Sequence, residues 1–169
     1  LGMSRSSVSR LLSFARASGL VDIHIHAPAG RTGEVADEFG RRFGVTASVV
    51  PTTAQMSDAD RLERVGQEAA RVLGRALDAN TTLGVAWGAT VSVVSRHVVP
   101  KELWNTQIVQ LNGAGNPTSS GIDYASEILR RFATAYSARV EQFPVPAFFD
   151  DPNTKVALWR ERSTRRVLD

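Results

Sequence analysis

Short apolar runs separated by stretches of helical periodicity restrict the architecture of this chain more than any other feature. Val45-Thr46-Ala47-Ser48-Val49-Val50, Thr82-Leu83-Gly84-Val85-Ala86-Trp87, Gln107-Ile108-Val109-Gln110-Leu111 and residues 140–145 each read as a strand. Runs of this length, rich in β-branched side chains and closed by Gly, Pro or Asn, suit strands buried in a sheet. Helices are expected over about residues 33–43, 58–77, 89–98 and 122–135, with a last one over 152–162. The second of these is the clearest, because Leu62, Val65, Ala69, Leu73 and Ala76 return on one face. Strand and helix in alternation predict a mainly parallel sheet with helices on both faces, the doubly wound α/β class. Ligands of such sheets bind beyond the carboxyl ends of the strands.

Composition narrows the function. A chain that is 43% hydrophobic and 22% charged can bury a core, so disorder is not the leading reading. Its apolar runs fall far short of the roughly 20 residues that cross a bilayer, and a cytoplasmic protein without membrane partners is expected. With no cysteine, disulfides and thiolate metal sites are excluded. Neither a metal nor a cofactor is expected. The net charge is only +3, but Arg5, Arg10 and Arg16 open the chain without an acid among them, and Arg160, Arg162, Arg165 and Arg166 close it. On charge alone, each cluster reads as a solvated helix face.

The first basic cluster lies in a more specific setting. Over residues 4–18, Val8, Leu11, Leu12 and Ala15 recur at helical spacing, with Ser4 placed to cap the helix and Gly19 to stop it. Gly2 suits a tight turn just before, so residues 1–12 have the layout of the turn and second helix of a helix-turn-helix. Arg5, Ser6, Ser9 and Arg10 then face outward beside Ser4, and near the start of a recognition helix such side chains meet bases and phosphates. Val21, Ile23 and Ile25 alternate with Asp22, His24 and His26 as a strand, the wing of a winged helix. Those three polar residues share a face that could hold a metal, but a wet wing face is the plainer reading. The helices that should precede Leu1 are missing from the chain, so it is expected to bind DNA poorly by itself.

Two glycine loops follow strands further on. In Gly84-Val85-Ala86-Trp87-Gly88-Ala89-Thr90-Val91 a strand runs into a helix within about two residues, and the free N–H groups of that helix start form an anion site. In Asn112-Gly113-Ala114-Gly115-Asn116-Pro117-Thr118-Ser119-Ser120-Gly121 backbone can approach a ligand closely amid short polar side chains. Neither loop is a Walker A or dinucleotide fingerprint. A glycine turn also serves pure geometry, so each loop alone is equivocal; two at the ends of successive parallel strands open on one edge. Trp87 can stack on a sugar or join the core. Asp150 and Asp151 follow the last strand, with Asp151 also placed to cap a helix before Pro152.

These residues resemble the SorC/DeoR family of sugar-binding transcription regulators. Residues 1–25 are similar to the end of that family's helix-turn-helix, Leu83 to Thr90 to its Gly-x-x-Trp-Gly-x-Thr segment, and Ile108 to Gly115 to its Val-Gln-Leu-x-Gly segment. The resemblance implies a helix-turn-helix remnant with wing over residues 1–27, a linker over 28–32 and a sugar-phosphate effector domain over 33–169, incomplete at its C-terminus. It also implies a fold like that of ribose-phosphate isomerases and glucosamine-phosphate deaminases. The implied partners are operator DNA and a phosphorylated sugar, with the protein a homo-oligomer, tetramer or dimer. Trp87, Gly88, Ala89, Thr90, Asn112, Gly113, Ala114, Gly115 and Asn116 would contact the effector. A regulator needs no catalytic residue. The competing readings are a sugar-phosphate isomerase or deaminase on the same scaffold, with Asp123, Glu127 and Asp150 as candidate bases, and a bare oligomerisation fragment.

Overall fold

A computed structural model describes residues 4–17, 31–114 and 121–169. In chain order these form α1 (Arg5–Ala17), α2 (Arg31–Phe43), α3 (Asp58–Ala76), β1 (Thr82–Val85), α4 (Ala89–Arg96), β2 (Gln107–Gln110), α5 (Gly121–Tyr136), β3 (Arg139–Glu141), α6 (Pro152–Arg160) and α7 (Arg162–Leu168). The chain divides into two compact units, Leu1–Pro51 and Thr52–Asp169.

In the first unit, Ser4 caps α1: its Oγ accepts from the Ser7 N–H at 3.3 Å and its carbonyl accepts from Val8 N. The predicted apolar stripe of α1, Val8, Leu11 and Leu12, is exposed. The turn containing Gly2 and the wing strand over 21–26, with Asp22, His24 and His26, lie outside the described residues. The strand expected over residues 45–50 does not form. Its Val and Thr content is right for a strand, but β propensity reflects packing against neighbours, and no described strand lies alongside to complete a ladder.

The second unit is built on a parallel sheet of order β1-β2-β3, with Leu83 level with Ile108 and Val140, and Gly84 level with Val109 and Glu141. One face holds the core. Ile108, Ile128 and Tyr136 are fully buried there among Val85, Leu77, Leu103, Leu129, Phe132 and Ala135. α5 places Ile128, Leu129, Phe132 and Tyr136 inward at i, i+1, i+4 and i+8, and the Phe132 and Tyr136 rings stack at 6.5 Å. Cutting Ile108 to Ala would cost about 2–5 kcal/mol. α3 closes on α4 through Gly66, where an added Cβ would stand 2.4 Å from Val93 Cγ1.

The opposite sheet face, carrying Gly84, Val109 and the largely exposed Leu111, is much less covered. At its β3 side Arg166 of α7 forms an ion pair with Glu141. Two elements differ from expectation. The last strand stops at Glu141 instead of reaching residue 145, and Pro144, which has no N–H, cannot itself extend the ladder. The last helix breaks into α6 and α7 at Glu161, which turns extended at φ −61° and ψ 139°.

Candidate functional site

The carboxyl ends of β1 and β2 deliver the two glycine loops side by side. The Trp87 N–H donates to Asn112 Oδ1 at 3.3 Å, and the Trp87 indole Nε1 donates to the Gly113 carbonyl at 2.7 Å. Trp87 is half-buried against the core, so its ring straps one loop to the other. Gly88 caps α4 without a side chain: its carbonyl accepts from Ser92 N at 2.9 Å, and a Cβ there would meet nothing within 4 Å. Ala89 and Thr90, in the first turn, are exposed. A helix start closed by glycine keeps its first N–H groups clear of a competing side-chain acceptor.

Asn112 and Gly113 are held from the other side as well. Gln110 Nε2 donates to the Asn112 carbonyl at 2.7 Å. Ala114 N donates to the Val145 carbonyl at 3.0 Å and accepts, through its own carbonyl, from Ala147 N at 2.7 Å, so β2 continues as a parallel bridge to Pro146. Gly113 is buried in this contact. A Cβ on it would lie 2.3 Å from the Pro146 carbonyl oxygen and 2.4 Å from that of Val145.

Beside this bridge opens a cavity of about 650 Å³. Its walls come from the end of β2 (Gln110, Ala114), from α5 (Ala125, Ser126), from the segment after β3 (residues 142–146 and Phe148 to Asp151) and from Thr154 of α6. Gln110 is buried and stands on the same side of β2 as Ile108. Phe148 is largely exposed at the rim. Asp151 caps α6, its Oδ2 accepting from both Thr154 N and Thr154 Oγ1 at 2.9 Å. The Thr154 backbone bond, followed by its hydroxyl, holds the Asp151 carboxyl below the ordinary range. Asp150 is exposed and has no ion-pair partner among the described residues.

Of the effector contacts expected from sequence, Trp87, Asn112, Gly113 and Ala114 thus form one linked group, and Gly88, Ala89 and Thr90 follow directly at the start of α4. Only Ala114 lines the cavity. Gly115 and Asn116 lie outside the described residues. Sequence reasoning overlooked Gln110, Ser126 and residues 142–149. The legible signal was a glutamine at an inward position of an apolar strand, since a buried polar group needs a partner. On α1, Ser4, Arg5, Ser6, Ser9 and Arg10 are all exposed, and the Ser6 hydroxyl meets that of Ser4 at 2.8 Å.

Of the candidate bases, Glu127 is poorly placed for acid–base chemistry. Asp123 falls in the first turn of α5. Glu127 is engaged by Arg130 at 3.0 and 2.7 Å and by Arg131 at 3.0 Å, and the Arg130 contacts pull its carboxyl below the usual range, away from a proton-transferring role near neutrality. No group of His, Asp and Glu suited to a metal occurs among the described residues.

The domain family described as "Putative sugar-binding domain" matches residues 28–169. The deoxyribonucleoside regulator of Bacillus subtilis strain 168 is 27% identical over the whole chain, which covers 54% of that protein. The sorbitol operon regulator of Klebsiella pneumoniae is 23% identical over 90% of the chain and 49% of its own length. The chain therefore spans about half the length of these relatives. Among solved structures, a domain of a "possible sugar-binding transcriptional regulator" from Arthrobacter aurescens TC1 is 50% identical over 85% of this chain and 56% of that one, with a TM-score of 0.80. The full-length sorbitol operon regulator SorC shares the fold at 20% identity and a TM-score of 0.77, over 99% of this chain and 55% of that one.

Proposed function

This chain belongs to the sugar-binding domain family of SorC/DeoR-type transcriptional regulators, and we propose that it is the part of such a regulator that senses a phosphorylated sugar and transmits its presence to operator DNA. The observation that carries the proposal is the pair of hydrogen bonds from Trp87 to Asn112 and Gly113, which set the open start of α4 next to the β2 loop. A phosphate seated on the N–H groups of Gly88, Ala89 and Thr90 would complement the positive end of α4. The sugar would extend past Asn112 and Gly113 toward the cavity that Ala114 lines. On the DNA side, Arg5 and Arg10 would contact phosphate or guanine, and Ser4, Ser6 and Ser9 would add short hydroxyl contacts.

Sensing requires no covalent step: the ligand and DNA prefer different arrangements of an oligomer, so each alters affinity for the other. The scaffold's alternative, isomerase or deaminase chemistry, is disfavoured by the engagement of Glu127 with two arginines. The test is thermal melting of the chain with matched free and phosphorylated sugars, with turnover assayed in parallel. A rise in Tm with phosphosugars and no product is expected. Product formation would move the protein to the enzyme class, and no rise with any phosphosugar would remove the sensor reading. For the DNA half, a regulator carrying this chain should lose operator affinity by about tenfold on Arg10→Ala; unchanged binding would take Arg10 out of the interface.

A further inference from the structure

Of the asparagines Asn80, Asn105, Asn112, Asn116 and Asn153, only Asn112 is followed by glycine. At such a pair the main chain attacks its own side chain with least hindrance, because a following residue without Cβ leaves its nitrogen open to the Asn Cγ. The Gly113 nitrogen would bond to Asn112 Cγ as hydroxide takes its proton, and the side-chain nitrogen would take a proton from water and leave as ammonia, closing a succinimide. Water then cleaves one of the two ring C–N bonds. Cleavage at Cγ returns an ordinary aspartate, whereas cleavage at the main-chain carbonyl carbon leaves the backbone running through Cβ and Cγ, an isoaspartate. The balance is one water consumed and one ammonia released, with no oxidant or reductant.

Ring closure requires ψ of Asn112 to turn until the Gly113 nitrogen reaches Cγ, and three hydrogen bonds oppose that turn. Gln110 Nε2 donates to the Asn112 carbonyl at 2.7 Å, and this carbonyl shares one rigid peptide plane with the attacking nitrogen. The Trp87 N–H donates to Asn112 Oδ1 at 3.3 Å and so holds the side chain that carries Cγ. The Trp87 indole donates to the Gly113 carbonyl at 2.7 Å and fixes the plane that follows.

The slot that receives Gly113 leaves no slack for the rearranged product. Gly113 is buried, and even a Cβ on it would lie 2.3 Å from the Pro146 carbonyl oxygen. Isoaspartate lengthens the link into Gly113 by one backbone carbon, which shifts Gly113 against Val145 and Pro146 and pulls Ala114 N away from the Val145 carbonyl it now meets at 3.0 Å. An ordinary aspartate keeps the backbone length, and its carboxylate still accepts the Trp87 N–H.

We infer that Asn112-Gly113 is a site of spontaneous deamidation held shut by the bonds from Trp87 and Gln110, and that its isoaspartate product irreversibly loosens the carboxyl edge of the sheet. This chemistry is independent of any ligand of the chain.

The experiment incubates the chain at mildly alkaline pH, folded and unfolded in guanidinium chloride, and follows the Asn112 peptide by mass spectrometry and isoaspartate by enzymatic methylation. Asn112 should deamidate about tenfold or more slowly in the folded chain, since its hydrogen bonds must open first. Trp87→Phe keeps a ring in the core and loses the indole donor, and it should raise the folded rate about fivefold. Its melting curve checks that it is folded at the incubation temperature; if it is not, Gln110→Met, which removes the donor to the Asn112 carbonyl, takes its place with the same expectation. The aged folded chain should melt lower as isoaspartate accumulates, while Asn112→Asp stays within about 3 °C of the parent. No deamidation at Asn112 in the unfolded chain overturns the site itself. Equal rates in the folded and unfolded chains, or a folded rate unmoved by loss of a donor, overturn the restraint by Trp87 and Gln110. An isoaspartate-rich sample that melts like the parent overturns the loosening of the edge.

Discussion

Gly113 shows how one residue can hold two loops together. Its missing Cβ lets the β2 loop lie against the Val145 and Pro146 carbonyls, and the same loop receives the Trp87 indole. Backbone oxygens at 2.3 and 2.4 Å from a new Cβ cannot rotate away as a side chain could. Gly113→Ala should therefore cost about 3 kcal/mol or more and abolish the phosphosugar response, read as a lowered Tm without ligand. A Tm unchanged by the substitution would show that the bridge is looser than its geometry indicates. This requirement was only half legible: the sequence marks a glycine loop after a strand, but the segment that presses on it lies some thirty residues later. Asp151 is the opposite case. Asp-Asp-Pro followed by a polar turn announces a helix cap locally, and the structure has Asp151 bonded to Thr154.

Among the elements, α4 runs from the loop after Trp87 back to α3. Its far end is clasped to α3 by Glu63, which accepts from His97 Nε2 at 2.7 Å and from Arg96 at 2.9 Å. The His97 bond, then the Arg96 bond, lowers the Glu63 carboxyl below its ordinary value. A carboxyl whose folded value is depressed contributes stability that is present above its unfolded value, near 4.5, and is lost as pH falls through the folded one. Thermal melting from pH 7 down to pH 3 should thus show a flatter acid limb for Glu63→Gln, with the two proteins converging as the pH falls below the depressed Glu63 value. Parallel curves across the whole range would separate the clasp from the acid sensitivity. The opposite end of α3 is closed by Lys101, whose Nζ reaches the carbonyls of Gly74 and Leu77 and the Asp78 carboxylate, a cation at the negative end of the helix. Helices were the legible elements, since Leu62, Val65, Ala69 and Leu73 return once per turn over about three turns. Strands were less so. Residues 45–50 have strand composition and form none, because a ladder needs a neighbour that composition cannot supply.

For the whole molecule, the buried residues decide which part can stand alone. Every core residue among the described ones lies within Thr52–Asp169, whereas none of the described residues in Leu1–Pro51 is buried. A chain restricted to residues 52–169 should keep one cooperative thermal transition within about 5 °C of the parent and the same phosphosugar shift. Loss of cooperativity would mean that the first unit supports the second. No helix among the described residues is long and apolar enough to cross a membrane. By itself the sequence determined the alternation of strand and helix, the parallel α/β class and the family motifs around Trp87-Gly88 and Asn112-Gly113, because each is carried by neighbours along the chain. Tertiary structure alone decided that Trp87 bonds across to Gly113, that residues 142–151 fold back to wall a cavity against Gln110, and that one sheet face holds the core while the other stays mostly open. Those outcomes depend on pairing between segments far apart in sequence, where the free energy of a contact is set by the partner that packing brings to it.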